Sequence, residues 1–179
     1  MKGGPIPLTE VQRVLLHRTE LTRTVLGGAM LVGCIPEEPS DRWMFHTSLA
    51  VRTTPAELMA VGLTLDMLCW PLRRHGLGGF LGASIRVGRA PSNDVVIPQS
   101  HVSKLHARIT VDGDRYLIAD AGSANGTRVN EVRLGSTPVA LTAGDVVRLG
   151  LVSLQFHPTA QLQGLLRAAL SSESAASGA

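Results

Sequence analysis

From about residue 65 onward the sequence is cut into short apolar runs by turn-forming residues. This punctuation restricts the fold more than any other feature of the chain. The runs expected to form strands are Met67–Arg74, Ser84–Gly88, Val95–Pro98, Ala107–Asp112, Arg115–Asp120, Thr127–Val129, Val132–Leu134, Pro138–Leu141, Asp145–Leu149 and Val152–Phe156. Between them stand Gly76–Gly79, Pro91–Asp94, Asp112–Asp114, Gly122–Gly126, Gly135–Pro138, Ala143–Gly144 and Gly150. Each separator carries Gly, Pro, Asn or Asp, which supply the backbone angles that tight turns need. Strands this short, with a turn signal every ~8–12 residues, indicate a β-sandwich or barrel. The alternation is clearest in Arg115–Asp120, where Tyr116 and Ile118 are expected to face inward together.

The N-terminal third has a different pattern. In Leu8–Leu26, Val11, Val14, Leu15, Leu21, Val25 and Leu26 recur mostly at helical spacing, with Thr9 as a cap after Pro7 and Gly27–Gly28 as the break. Ala29–Ile35 and Trp43–Arg52 read as short strands separated by the turn-rich Pro36–Asp41, and Ala56–Val61 as a helical turn begun at Thr54–Pro55. At the other end, Thr159–Leu170 reads as a short amphipathic helix and Ser171–Ala179 as a disordered polar tail. The expected division is therefore an N-terminal α/β extension over 1–62, a β domain over 63–158, and a helix with a flexible tail over 159–179. Aromatic residues make up only 3% of the 179, so the core must be built from Val, Leu, Ile and Ala.

Several function classes are excluded on sequence grounds. The uncharged stretch Val25–Ile35 is about half of what a bilayer span needs, and Gly27, Gly28 and Gly33 interrupt it. Ala56–Leu72 is longer but contains Glu57, Asp66 and Pro71. No membrane span is expected, and Met1–Pro7 lacks a secretory pattern. Cys34 and Cys69 form no CxxC and sit among apolar residues, so both are expected to be buried free thiols of a cytoplasmic protein. A net charge of +3 is too diffuse to indicate nucleic acid. Only Lys2 and Lys104 among the 17 basic residues are lysines, a bias in keeping with a GC-rich bacterial genome.

The cofactor and catalytic patterns fail on spacing. Gly76, Gly78, Gly79 and Gly82 resemble a dinucleotide loop, but Leu81 stands where the third glycine belongs. There is no phosphate-binding GxxxxGK[ST] loop, and Gly122–Gly126 puts its serine second, not third as in a nucleophile elbow. His101 and His106 have no third ligand at metal spacing. No enzyme activity, metal or cofactor is expected.

What remains is a series of loop motifs in fixed order. These are Gly88–Arg89, Asn93–Asp94, Ser103-Lys104-Leu105-His106, Asp120 through Ser123-Ala124-Asn125-Gly126-Thr127, Asn130, and Gly144–Asp145 before Leu149–Gly150. The series resembles the forkhead-associated (FHA) domain, whose pattern runs GR, S-x-x-H, S-x-N-G-T with a following N, then L-x-x-G-D. The match covers Arg86 to Phe156. The resemblance implies a mainly β fold, an FHA-type sandwich of about 11 strands, whose loops at one end bind a phosphothreonine peptide. It implies phosphate contacts from Arg89 and Ser103 and a peptide-backbone contact from Asn125. Gly88, His106, Gly126, Thr127 and Asn130 become structural motif residues, His106 tying the Ser103 loop to neighbouring backbone.

The chemistry of these residues suits the role. A phosphothreonine carries roughly −1.5 to −2 charges and three acceptor oxygens. Arg89 offers a planar fork of donors, Ser103 a compact hydroxyl, Lys104 a point charge, and Asn125 both a donor and an acceptor. A hydrolase triad of Ser103, His106 and Asp120 is the weaker account, because S-x-x-H already explains the Ser–His spacing. Two departures from the family pattern bear on affinity. Ala124 replaces a frequent polar residue, and Lys104 replaces a frequent Asn or Arg. The expected partner is a threonine-phosphorylated protein or peptide, with a Ser/Thr kinase upstream and neither nucleic acid nor membrane. The rival reading is a scaffold that assembles through an FHA fold without phosphate. Arg89 locked in a salt bridge with Asp94 or Asp120 would favour that rival.

Overall fold

The structure, a computed structural model, describes residues 4–17, 26–35, 56–64, 66–73 and 84–176. In chain order the elements are β1 (Ile6–Pro7), α1 (Leu8–His17), β2 (Ala29–Gly33), α2 (Ala56–Ala60), β3 (Leu68–Pro71), β4 (Ile85–Gly88), β5 (Val95–Val96) and β6 (Ala107–Asp112). They continue with β7 (Arg115–Asp120), β8 (Thr127–Val129), β9 (Val132–Arg133), β10 (Val139–Leu141), β11 (Val146–Leu149), β12 (Val152–Pro158) and α3 (Thr159–Ala176). The strands form two sheets, ordered β1-β3-β2-β12-β11-β8-β9 and β10-β7-β6-β4-β5. Every pairing is antiparallel except β4 with β5.

The sandwich core lies between the sheets. Ile85, Val87, Ile109 and Ile118 meet Leu31, Val147, Leu149 and Leu154, all essentially without exposure. Tyr116 and Ile118 both point inward, as their alternation predicts. The few aromatics are placed at the centre. The Tyr116 and Phe156 rings lie 5.4 Å apart in a tilted pair, and the buried Trp70 donates its indole N–H to the Val96 carbonyl at 3.0 Å. The fold is thus the mainly β sandwich the sequence predicts, with 12 strands among the described residues in place of about 11. One of these, the edge strand β1, had no sequence signal. Its Pro7 cannot donate to a ladder and is tolerated at a sheet edge.

β2 belongs to the segment read as an extension, yet it runs between β3 and β12 as an inner strand. Its five residues are all buried. Ala29 and Leu31 face the sandwich core, while Met30 and Val32 face a second core outside the sheet. That second core is formed with Leu8, Val11 and Leu15 of α1, Leu58 of α2, and Leu162 and Leu166 of α3. The sheet therefore separates two apolar layers, which is why β2 reads as an unbroken apolar run.

The C-terminal helix continues to Ala176, past the expected end at Leu170, so the flexible tail predicted from Ser171 is corrected over this stretch. Between Leu170 and Gly178 no Gly or Pro interrupts the sequence. Once a helix is nucleated, each further residue adds a hydrogen bond at little cost. Thr159 anchors the helix start, donating its hydroxyl to Gly27 O and its amide to Gly28 O, both at 2.9 Å. Farther along, the Gln163 amide reaches Leu15 O at 2.8 Å.

The expectation for the cysteines is half corrected. Cys69 is buried, and burial pushes its thiol up to about 12, but Cys34 is exposed. It lies just past the end of β2. The expected Leu8–Leu26 helix is described over Leu8–His17 and at Leu26. The turn at Pro36–Asp41, the strand at Trp43–Arg52 and the turn at Gly76–Gly79 lie outside the described residues. Among the described residues no helix is long and apolar enough to cross a membrane.

Candidate functional site

Three loops meet at one end of the sandwich, those after β4, before β6 and between β7 and β8. The segment His101–Lys104 is their junction. The Arg89 amide donates to Ser103 O at 2.9 Å and the Ala90 amide to Lys104 O at 3.1 Å. On the other side, the Ala124 amide donates to Ser103 Oγ at 3.0 Å and the Asn125 side-chain amide to His101 O at 2.8 Å. The four residues predicted to bind a phosphopeptide are thus tied to one short stretch of chain from both sides.

The glycine of the Gly88–Arg89 pair has a steric reason. A Cβ at Gly88 would stand 2.5 Å from Lys104 O and 2.9 Å from both Ser103 O and the Asn93 side-chain nitrogen. Only a residue without a side chain lets β4 approach this loop so closely. Asn93, itself buried, donates its side-chain N–H groups to Lys104 O at 2.6 Å and Ala90 O at 3.0 Å. It bridges the two loops that carry Arg89 and Ser103.

His106 is fully buried beneath the site. Its Nδ1 accepts the Ser103 amide at 3.0 Å, and its Nε2 lies 3.2 Å from the Gly126 carbonyl. A carbonyl can only accept, so Nε2 carries the proton and the ring is neutral. Burial pushes its pKa down, against the smaller upward pull of the Gly126 bond and the Asp120 charge. Protonation at Nδ1 would break the bond that holds the Ser103 loop.

Asp120 organises the loop between β7 and β8. Its carboxylate accepts from the Gly122 and Ser123 amides at 2.9 Å and from the Ser123 and Thr127 hydroxyls at 2.6 Å. Burial pushes this carboxyl up, but the four bonds outweigh it and hold it below the usual carboxylate range. Thr127 is completely buried, and Gly126 takes a φ of +80° that a side chain would disfavour. Asn130 has a different connection. Its side chain donates to Asp145 Oδ1 at 2.7 Å and accepts the Val146 amide at 2.9 Å, joining the β8–β9 turn to the start of β11. Asp145 is likewise pushed up by burial but held low overall by bonds from Thr142 and Asn130.

These shifts share a sign. His106 and His157 have folded pKa values below their unfolded ones, so their contribution is complete above about pH 6.5 and is lost as pH falls toward the folded values. Asp120 and Asp145, also depressed, contribute above their ordinary values near 3.8 and lose that contribution at still lower pH. Melting temperature should therefore fall steadily from about pH 7.5 to about pH 4. A melting temperature that rises over that range would contradict the neutral-histidine assignment.

At the surface, Arg89 is exposed, and its Nε donates to Val102 O at 3.2 Å. That bond orients the guanidinium while leaving both terminal nitrogens without a partner among the described residues. No described carboxylate holds it. Asp94 accepts the Arg86 amide at 2.9 Å and pairs with the Arg86 guanidinium at 3.7 Å, while Asp120 is taken up within its own loop. Ser103 Oγ accepts from Ala124, so its own hydroxyl proton remains available to a ligand. Lys104 is exposed, and Asn125 retains its amide oxygen and a second N–H. The group therefore carries several uncommitted donors and two positive charges.

A family model described as the FHA domain matches residues 85–150. The FHA domain-containing protein FhaB of Mycobacterium tuberculosis is 30% identical over 121 residues, covering 59% of this chain and 77% of FhaB. The chain belongs to the FHA family. An FHA domain-containing protein of Arabidopsis thaliana is 42% identical over 71 residues, which is 38% of this chain but 18% of that relative. A solved structure of Mycobacterium tuberculosis EmbR in complex with a low-affinity phosphopeptide is 35% identical, with a TM-score of 0.40, over 44% of this chain and 21% of that one.

Sequence reasoning found the FHA loop residues but assigned no role to Asn93. The carboxylate of Asp120 is the hub of the loop between β7 and β8. A signal for Asn93 was present. An Asn-Asp pair directly before a strand, in a chain with few polar core residues, marks a buried side chain bonded across loops.

Proposed function

We propose that this FHA protein is a phosphothreonine-peptide binding module that docks onto proteins phosphorylated by Ser/Thr kinases. The observation that carries the reading is the convergence of Arg89, Ser103, Lys104 and Asn125 on one loop junction, with the Arg89 terminal nitrogens uncommitted among the described residues. Arg89 and Lys104 supply charge, the Ser103 hydroxyl a short donor, and Asn125 a backbone clamp. Asn93, His106 and Asp120 hold the loops so that little ordering is left for the moment of binding. The cytoplasmic setting belongs to the same proposal. It is supported by two cysteines that are both free, one buried and one exposed.

A peptide carrying phosphothreonine, phosphoserine, Glu or unmodified Thr at one position tests the reading by titration at two salt concentrations. Phosphoserine lacks one methyl group, worth about 0.8–1.5 kcal/mol when buried, so it should bind several-fold to about tenfold more weakly. Glu, with fewer charges and a planar head, should bind more weakly again. All charged forms should lose affinity as salt rises, because the site is at the surface. Equal binding of the phosphorylated and unmodified peptides would reject phosphate recognition and leave a scaffold.

A further inference from the structure

Three arginines stand side by side on the outer face of the seven-stranded sheet. Arg133 of β9 is paired directly opposite Arg128 of β8, and Arg128 directly opposite Arg148 of β11. Their strand neighbours Thr127, Val129, Val147 and Leu149 are buried toward the core, so the three arginine side chains leave the sheet on the other side. Adjacent strands are about 4.8 Å apart, which places the whole row within about 10 Å.

Like charges directly opposite each other destabilise a sheet. On the other sheet Arg86 faces Arg108 in the same way, but there Asp94 pairs with Arg86. In this row the Glu131 carboxylate bonds to Arg148 at 2.7 Å, and no described carboxylate pairs with Arg128 or Arg133. The fold therefore keeps an unfavourable row and neutralises only one end of it. An anion from outside the chain would relieve the remainder.

The row begins at the edge of the phosphopeptide site. The Arg133 guanidinium packs on Gly126, where an added Cβ would come within 3.0 Å of it. Gly126 directly follows Asn125 and gives its carbonyl to His106. From there the arginines lead away across β8 to β11.

We infer that the arginine row receives acidic side chains of the same peptide that carries the phosphothreonine. The inference rests on the function proposed above and names the sequence flanking the phosphorylated residue. Alternate side chains of an extended peptide lie on one face about 6.6 Å apart, so two carboxylates at i and i+2 are spaced to reach Arg133 and Arg128, whose strands are about 4.8 Å apart. Guanidinium groups bind carboxylates through paired, planar hydrogen bonds.

The test uses three phosphothreonine peptides of equal length and identical centre. One has acidic residues on the N-terminal side, one on the C-terminal side, and one has alanine and serine on both. Each is titrated into the wild-type chain and into the double variant Arg128→Gln, Arg133→Gln. An acidic flank on one side should tighten wild-type binding by about three- to tenfold. The gain should vanish in the double variant, while the neutral peptide binds both proteins equally. A gain that persists in the variant, or no gain from either flank, would overturn the inference and leave phosphothreonine recognition intact. Arginine-dependent binding of a DNA duplex without any gain from acidic flanks would also overturn it, by assigning the row to nucleic acid. Failure of all three peptides to bind the wild type would instead overturn the phosphothreonine reading, and this inference with it.

Discussion

Arg89→Ala should weaken binding of a phosphothreonine peptide by about 2–5 kcal/mol, a loss of roughly 30-fold to several thousand-fold. The size follows from the ligand. A phosphate of nearly two negative charges loses its main planar donor, and Lys104 remains as a single point charge. Folding should change little. The Arg89 side chain is exposed and, among the described residues, makes one hydrogen bond, to Val102 O, worth about 0.5–1.5 kcal/mol. Calorimetric titration beside thermal melting separates the two effects. Equal affinity of variant and wild type would remove Arg89 from the site. A large fall in melting temperature would show it to be structural.

His106→Ala should have the opposite profile. The imidazole is fully buried and joins the Ser103 amide to the Gly126 carbonyl. Its removal leaves the Ser103 amide unpaired, takes from the Gly126 carbonyl one of its two bonds (the Gly150 amide at 3.2 Å remains) and opens a cavity, which together cost about 2–5 kcal/mol of stability. Peptide affinity should fall as well, because the Ser103 loop loses its anchor, but by less than in Arg89→Ala. Thermal melts and peptide titration of the same sample read both quantities. A variant that melts like the wild type yet binds no peptide would move His106 from beneath the site to the ligand.

The contrast between these residues reflects what a sequence can display. The strands from β4 onward match their expected positions to within about two residues, because a Gly, Pro, Asn or Asp marks nearly every turn between them. The site residues were legible for a related reason. Gly88, Ser103, His106 and Asn125 answer to local spacing in loops, and the bonds that tie them run mostly between neighbouring loops. The helical side was harder to read. α1 and α3 depend on a second core against the outer face of the sheet, and the contact of Gln163 with Leu15 O spans nearly the whole chain. β2 reads as an apolar run because both of its faces are buried, and nothing local tells an inner sandwich strand from part of a separate extension. The extra length of α3 and the exposure of Cys34 are likewise set by what packs nearby, not by the residues themselves.

The central claim is that phosphate is received at the junction of Arg89, Ser103, Lys104 and Asn125. The most direct measurement follows backbone amide NMR signals of the full chain during titration with a phosphothreonine peptide and with its unphosphorylated twin. The account predicts saturable shifts concentrated at Arg89, Ser103, Lys104, Ala124 and Asn125, caused by the phosphopeptide and absent with the twin. Identical shifts from both peptides, or shifts confined to another part of the surface, would contradict it.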